Sequence, residues 1–407
     1  MTNVDRRHFL KTTGALGLTP LSSPKMNSTM SIKRNPLGIR DDFAVTQNQT
    51  YLNTSYVGPF PGVVHEAAIK YANEQQLTPA KGLDISMEIK EATRVKFAEL
   101  FGATRDEVAL LFSTSDAENI VTSAIDLKAG DNVVIDELHF VTSFVLYRWL
   151  EQAKDIELRI VPHTNGRSRI QDFESRTDAR TRLISVAWVS NRNGYRHSLP
   201  ALAELVHANG GYLFADGIQA LGTFPTNLRE TGADFVCANS YKYLLASWGA
   251  APFFVREEHL DRITPDRFGH NQVSRSLPNY NFELNTSAEK YEYAGLIYGA
   301  VAQLNAALGY IDQVGLSRIE AHTVALAQAL RNGIAKLGYS MFTPSNNPSC
   351  ITSFDHGLDP EHIRRVLDEE NISVSFRERE TQIRASVGMF NNQDDIDHFL
   401  QVLSRLA

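Results

Sequence analysis

Short apolar runs alternate with amphipathic stretches from about residue 50 to 280. The runs VALLF (108–112), VVID (133–136), LISVAWV (183–189), YLFAD (212–216), DFVCA (234–238) and APFFV (251–255) are unbroken enough to be strands buried on both faces. Between them lie helical patterns. In SLPALAELVHANGG, Ser198 precedes Leu199, Leu202, Leu205 and Val206 on one face, Pro200 sits in the first turn and Gly210 follows the end. Ser198 is expected to cap that helix. Strand–helix alternation of this kind predicts a three-layer α/β domain with a mostly parallel sheet. Ligands then collect at the carboxyl ends of the strands. After residue 300 the texture changes. A long helix pattern at 318–338, weak strands, and a closing helix near 393–406 predict a smaller α+β unit. The expected division is 1–40 as leader and linker, 50–280 as the large domain, and 281–407 as an interface segment plus the small C-terminal domain.

Composition narrows the classes. A chain of 407 residues, 43% hydrophobic and 21% charged, holds two ordinary globular cores. The formal charge of −7 and the lack of a basic cluster argue against a nucleic-acid partner. With Cys237 and Cys350 alone, there is no disulfide framework and no cysteine-built zinc site; no metal is expected. No apolar run reaches the roughly 18 residues of a membrane span. The N-terminus reads Arg6-Arg7-His8-Phe9-Leu10-Lys11 before a short uncharged stretch. It resembles a twin-arginine export signal, which implies the export machinery as a partner and a periplasmic or otherwise exported location, with the cytoplasm as the alternative.

The chemistry lies in the polar residues that end the strands. Asp216-Gly217-Ile218-Gln219 ends one, Ser190-Asn191 another, and Ser113-Thr114-Ser115 opens a helix after a third. His139-Phe140 follows the run at 133–136, and Lys242 follows the run at 234–238. Singly, each has a bland reading as a turn, a cap, a core ring or a solvated lysine. Together they supply what pyridoxal phosphate requires. Lys242 is the amine for a Schiff base. Asp216 is the carboxylate that keeps the pyridine nitrogen protonated. Gln219 or Asn191 would reach the ring's 3-oxygen. Thr114 and Ser115, at a helix N-terminus, suit the phosphate. Phe140 would cover a ring face.

The stretch LFADGIQALGTFPTNLRETGADFVCANSYKYL (213–244) resembles the core signature of the class V aminotransferase family, within the fold-type I pyridoxal-phosphate enzymes. YLNTSYVGPFP (51–61) is similar to the family's N-terminal segment near the substrate, and IRASVGMFNNQDDIDHFL (383–400) to its C-terminal signature. The resemblance implies that Arg384 grips the substrate carboxylate, that Tyr56 lies beside the substrate, and that Tyr241 and Asn239 touch the phosphate. It also implies a homodimer in which 289–299 reaches the partner's site. Relatives have a Gly-Thr pair where this chain has Ala294-Gly295.

The implied substrate is an amino acid or amino-acid-derived peptide, turned over by transaminase, epimerase or lyase chemistry. The overall wording is nearest the isopenicillin-N-epimerase-like branch, and SYKYL resembles kynureninases. A kynureninase-like C–C hydrolase or a C–S lyase is the alternative enzyme; an exported, catalytically silent binding module is the non-enzyme alternative. Tyr56, Trp188, His139 and Arg377 are candidate substrate neighbours. The loop ISVSFRERETQIRAS (372–386) has no cysteine where sulfur-transferring relatives carry one. That argues against a cysteine desulfurase.

Overall fold

The apolar runs assemble into one seven-stranded sheet in a computed structural model that describes residues 36–406. The Arg6-Arg7 motif lies outside the described residues. The strands are β1 (Val108–Leu111), β2 (Asn132–Asp136), β3 (Glu157–Val161), β4 (Thr181–Ala187), β5 (Tyr212–Asp216), β6 (Phe235–Cys237) and β7 (Ala251–Val255), in the order β1-β7-β6-β5-β4-β2-β3. All neighbours are parallel except β7, which runs against both β1 and β6. The carboxyl ends of β1, β2, β4, β5 and β6 therefore share one edge of the sheet.

Pleating explains why the runs are apolar throughout. Val108, Leu110, Val134, Ile184, Val186, Leu213, Ala215 and Val236 feed one core. Ala109, Leu111, Val133, Ile135, Leu183, Phe214, Phe235 and Cys237 feed the other. Of the helices, α1 (Gly62–Leu77), α2 (Pro79–Leu100), α5 (Leu199–His207) and α6 (Tyr298–Val314) cover the first face. The second is covered by α3 (Thr114–Ala124) and α4 (Val141–Lys154). At α5 the helix forms as expected, with Pro200 in its first turn, but Ser198 makes no side-chain capping bond. The edge strand β3 has no counterpart among the expected strands. It pairs only with β2, so Glu157 and Arg159 can sit on it, and they break the apolar pattern.

The C-terminal unit is an antiparallel sheet of β8 (Ser340–Met341), β9 (Ile351–Asp355), β10 (Ser375–Arg377) and β11 (Gln382–Ser386), ordered β8-β9-β11-β10. Helices α7 (Leu316–Lys336), α8 (Pro360–Glu369) and α9 (Gln393–Ser404) accompany it. Helix α9 starts in a reciprocal cap, with Asn392 and Asp395 each accepting from the other's backbone amide. Thr50–Tyr51 pairs in parallel with Ile372–Ser373, Arg40 holds Asp395 through two hydrogen bonds, and Phe43 packs on Phe390 at 4.8 Å. Residues around 39–53 therefore pack against the C-terminal unit. Among the described residues, no helix is long and apolar enough to cross a membrane.

Candidate active site

Thr114, Ser115, Phe140, Asn191, Asp216, Gln219, Asn239, Tyr241 and Lys242 all line one cavity at the shared strand edge. Each arrives there for a local reason. Ser113 is extended and its Oγ accepts from the Asp116 amide at 3.0 Å, which starts α3 at Thr114. First-turn amides have no partner inside a helix, so this end of α3 is suited to an anion. Thr114 Oγ1 accepts from the Asn239 amide at 3.0 Å and ties the helix to the lysine loop. The Asn239 side chain is spent on the chain itself: Nδ2 donates to Phe112 O at 3.3 Å and Oδ1 accepts from Ser240 N at 2.9 Å.

Asp216 ends β5 buried, and its Oδ1 accepts from the Ile218 amide at 2.9 Å. Burial pushes its carboxyl upward, opposed by the Ile218 amide and by His139 and Lys242. Lys242 is buried one loop after β6, with Nζ 6.0 Å from the Phe140 ring centre and 5.5 Å from that of Tyr241. Burial draws its ammonium well below the usual lysine range; Asp216 opposes this, and Arg384 and Arg377 add to it. The Gln219 Nε2 donates to Ser55 O at 2.9 Å, and its Oε1 is buried without a partner, as is Oδ1 of Asn191.

The lysine loop is held down from above. Gly58 N donates to Tyr241 O at 2.8 Å, and a Cβ on Gly58 would lie 2.0 Å from the Lys242 carbonyl oxygen. Only glycine permits that approach. Trp248, which the sequence reading did not single out, lines the cavity and stacks on Tyr241 at 4.6 Å and 14°. Glu118, also unforeseen, lines the cavity one turn into α3. It accepts from Ser143, Tyr147 and Ser185 at 2.7–2.8 Å. His139 is fixed beneath by this network: its Nδ1 accepts from the Phe140 amide at 2.7 Å, so its Nε2 donates to Ser185 Oγ at 2.9 Å.

Arg384 is fully buried on β11, donating to Asn191 O at 2.7 Å and to Ser375 Oγ at 3.1 Å, with its Nε unpartnered. It approaches the cavity through Asn191 and is not itself part of the lining. Tyr56 is 58% exposed, outside that lining, yet near enough to act electrostatically on Tyr241, Arg377 and Arg384. Trp188 does not join the site. Ala187 and Val189 face the cavity, so pleat parity turns Trp188 away onto Phe224, at 5.4 Å between ring centres. Gly295 is exposed, with no atom within 4 Å of where its side chain would begin.

A buried amine, a buried carboxylate, an open helix N-terminus and two unpartnered amide oxygens around one cavity fit a phosphorylated pyridine aldehyde. Lys242 would hold its aldehyde carbon, Asp216 its ring nitrogen, and the start of α3 its phosphate.

The Aminotransferase class-V family profile matches residues 61–399. A probable cysteine desulfurase of Methanothermobacter thermautotrophicus is 24% identical over 395 residues, covering 91% of this chain and 97% of its own. Among solved structures, the apo cysteine desulfurase of Thermococcus onnurineus NA1 superposes with a TM-score of 0.83 at 22% identity, over 92% of this chain and 98% of its own. The cystine C–S lyase C-DES, with glycine covalently linked to its pyridoxal-phosphate cofactor, superposes with a TM-score of 0.83 at 19% identity, over 90% and 98%. These names overturn the expectation that argued against a cysteine desulfurase. The missing thiol in the 372–386 loop bears on where sulfur goes after it leaves carbon. Elimination breaks the C–S bond without a protein thiol, and in desulfuration a thiol from outside the chain can attack the sulfur.

Proposed function

The chain belongs to the class V aminotransferase family of pyridoxal-phosphate enzymes, and from that premise we propose that it cleaves the carbon–sulfur bond of cysteine or a cysteine-derived amino acid. The observation that carries this reading is the desulfurase identity of relatives aligned along nearly the whole chain, over a cavity with Lys242 and Asp216 in place. Pyridoxal phosphate, when bound, supplies an aldehyde for the substrate amine and a ring that accepts the electron pair released at the α-carbon.

The chain's own residues do the rest. Burial favours the neutral amine of Lys242, so it can take the α-proton near neutral pH. Asp216 holds a proton on the ring nitrogen. Arg384 orients the substrate carboxylate, its planar fork suiting a two-point contact. Neither cysteine is a ready acceptor for the departing sulfur. Cys237 and Cys350 are both buried, and burial pushes the Cys350 thiol up to about 11 and the Cys237 thiol well above its ordinary value. Sulfur therefore passes to a thiol outside this pair or leaves as sulfide. Up to proton removal the same residues would serve transamination or epimerisation; the relatives favour C–S cleavage.

The test is incubation of the cofactor-loaded protein with L-cysteine and dithiothreitol, followed by assay of sulfide with alanine, or of sulfide with pyruvate and ammonia. The first pair marks desulfuration, the second elimination. Lys242→Ala is expected to abolish sulfide release and to lose the visible absorption of lysine-bound cofactor. A wild-type band in that variant refutes the lysine assignment, and absence of any C–S cleavage product from both L-cysteine and S-substituted cysteines refutes the reaction.

The reading extends to assembly and location. Trp248, at the cavity, and Ile297 and Met87 are exposed and follow one another along the surface: Ile297 packs against Gly249, and Tyr298 donates to the Met87 sulfur. An apolar patch of that kind supports a homodimer closing over the site; a monomer by light scattering at micromolar concentration contradicts it. Export is supported by the Arg6-Arg7 motif alone, and loss of periplasmic protein on replacing both with lysine is the check.

A further inference from the structure

Beside the cofactor cavity lies a second cavity, joined to it through Phe140 and Asn191, which line both. Arg377 and Arg192 supply its positive charge, Glu137 and Glu378 its negative charge. Three of these four groups are engaged. Arg192 donates to Glu378 at 2.6 Å and to Glu137 O at 2.8 Å, and the Glu137 carboxylate accepts from the His163 amide at 2.9 Å. Arg377 is different. Its guanidinium makes no hydrogen bond or ion pair with the described residues, and its Nε is fully enclosed. Burial works against its charge, with Tyr56 and Glu378 only partly offsetting this. A half-buried arginine without an anion is a costly arrangement unless a ligand supplies one.

The hairpin explains its aim. Strand β10 pairs with β11 so that Ser375 opposes Arg384 and Arg377 opposes Gln382. Opposed and alternate residues share a face, so Arg377 and Arg384 lie diagonally on the same side, with Cβ atoms about 7 Å apart. Phe376 and Ile383 take the other side, in the hydrophobic core. The turn is pinned by Glu378 to Arg192 and by Glu380 to Arg364. Arg377 also lies within electrostatic range of both Lys242 and Arg384.

We propose that Arg377 is a second anion-binding group, selecting amino acids whose side chain ends in a second carboxylate beyond the sulfur, such as S-carboxyalkyl cysteines. Arg384 takes the α-carboxylate, and the adjoining cavity takes the distal arm. This rests on the C–S cleavage reading for the identity of the arm, though not for the presence of the anion site.

Two measurements separate the ideas. The first compares kcat/KM of the loaded enzyme for S-carboxymethyl-L-cysteine and its neutral amide, S-carbamoylmethyl-L-cysteine. The wild type is expected to favour the acid by about ten- to a hundredfold, as a charge-assisted two-point contact would. In Arg377→Gln the ratio is expected to fall toward one, and Arg377→Lys to recover part of it. An equal ratio in the wild type, or an undiminished one in Arg377→Gln, overturns the proposal. The second measurement titrates L-glutamate and L-glutamine against the cofactor's visible absorption, with no C–S bond present. An Arg377-dependent preference for glutamate upholds the anion site even if no sulfur compound is turned over. Equal binding of the two, unaffected by Arg377→Gln, overturns the site even if cysteine is cleaved. Because each readout is a ratio within one protein, a general loss of folding does not mimic the result.

Discussion

Replacing Gly58 by alanine tests how tightly the N-terminal segment sets the position of Lys242. The added methyl carbon would stand 2.0 Å from the Lys242 carbonyl oxygen, 2.9 Å from its carbon and 3.3 Å from its Cα. Comfortable contact needs about 3.5 Å, so the two backbones must part by roughly 1.5 Å. That exceeds what the Gly58 N to Tyr241 O bond of 2.8 Å can follow. The segment cannot simply lift away, because Ser55 O is held by Gln219 and Val57 O by Tyr51. Overpacking of this size costs about 1–3 kcal/mol, and the lost buried bond about 1 kcal/mol more. A lysine displaced by an ångström or so lowers turnover by about a hundredfold. Thermal unfolding, cofactor titration and sulfide release read the three effects separately. Gly309→Ala is the control: it lies inside α6, where a methyl meets nothing closer than 3.5 Å, and is expected to stabilise by about 1 kcal/mol. A Gly58→Ala protein with the unfolding midpoint, cofactor affinity and turnover of the wild type would refute the reasoning.

Asp216→Asn removes the carboxylate proposed for the ring nitrogen, and turnover is expected to fall about 100- to 1000-fold while the cofactor stays bound, measured by sulfide release against cofactor content; turnover within threefold of the wild type contradicts the role. At the opposite edge of the sheet, Asp234 bridges His207 at 2.8 Å and His259 at 2.6 Å, and the bond to Asp234 raises the His207 pKa. A histidine raised on folding contributes stability that is complete below its unfolded value, about 6.5, and fades as pH rises through the folded one. His207→Gln is therefore expected to cost most below about pH 6.5, and its cost to shrink above it. With 42% of the side chain exposed, the effect is about half a kcal/mol; urea unfolding at pH 5.5 and 8.5 measures the difference, and a cost that grows with pH contradicts the assignment.

What could be read beforehand followed from locality. Six strands were legible because both faces of each are buried, which leaves unbroken apolar runs. The strand-end set from Thr114 to Lys242 was legible because parallel strands carry their ends to one edge. Other features escape the sequence for physical reasons. Edge strand β3 carries charge because only one neighbour covers it. Trp188 sits in an apolar run that does not announce pleat parity, and Trp248 stands in a small-residue loop whose stacking partner is decided by tertiary structure. The pairing of residues 50–51 with 372–373 joins opposite ends of the chain, and no local pattern encodes it.

That last pairing bears on how the protein is made. Ser55 N donates to Ser386 Oγ, 331 positions along the chain, and the Ser386 amide donates to Leu52 O. A ribosome has therefore translated the chain past Ser386 before the strap bearing Gly58 finds its anchor. Until then the lysine loop lacks its upper wall, however complete the central sheet. Cofactor capture is thus expected to be one of the last events of biosynthesis, and chains truncated before β11 are expected to remain colourless even where their sheet has formed.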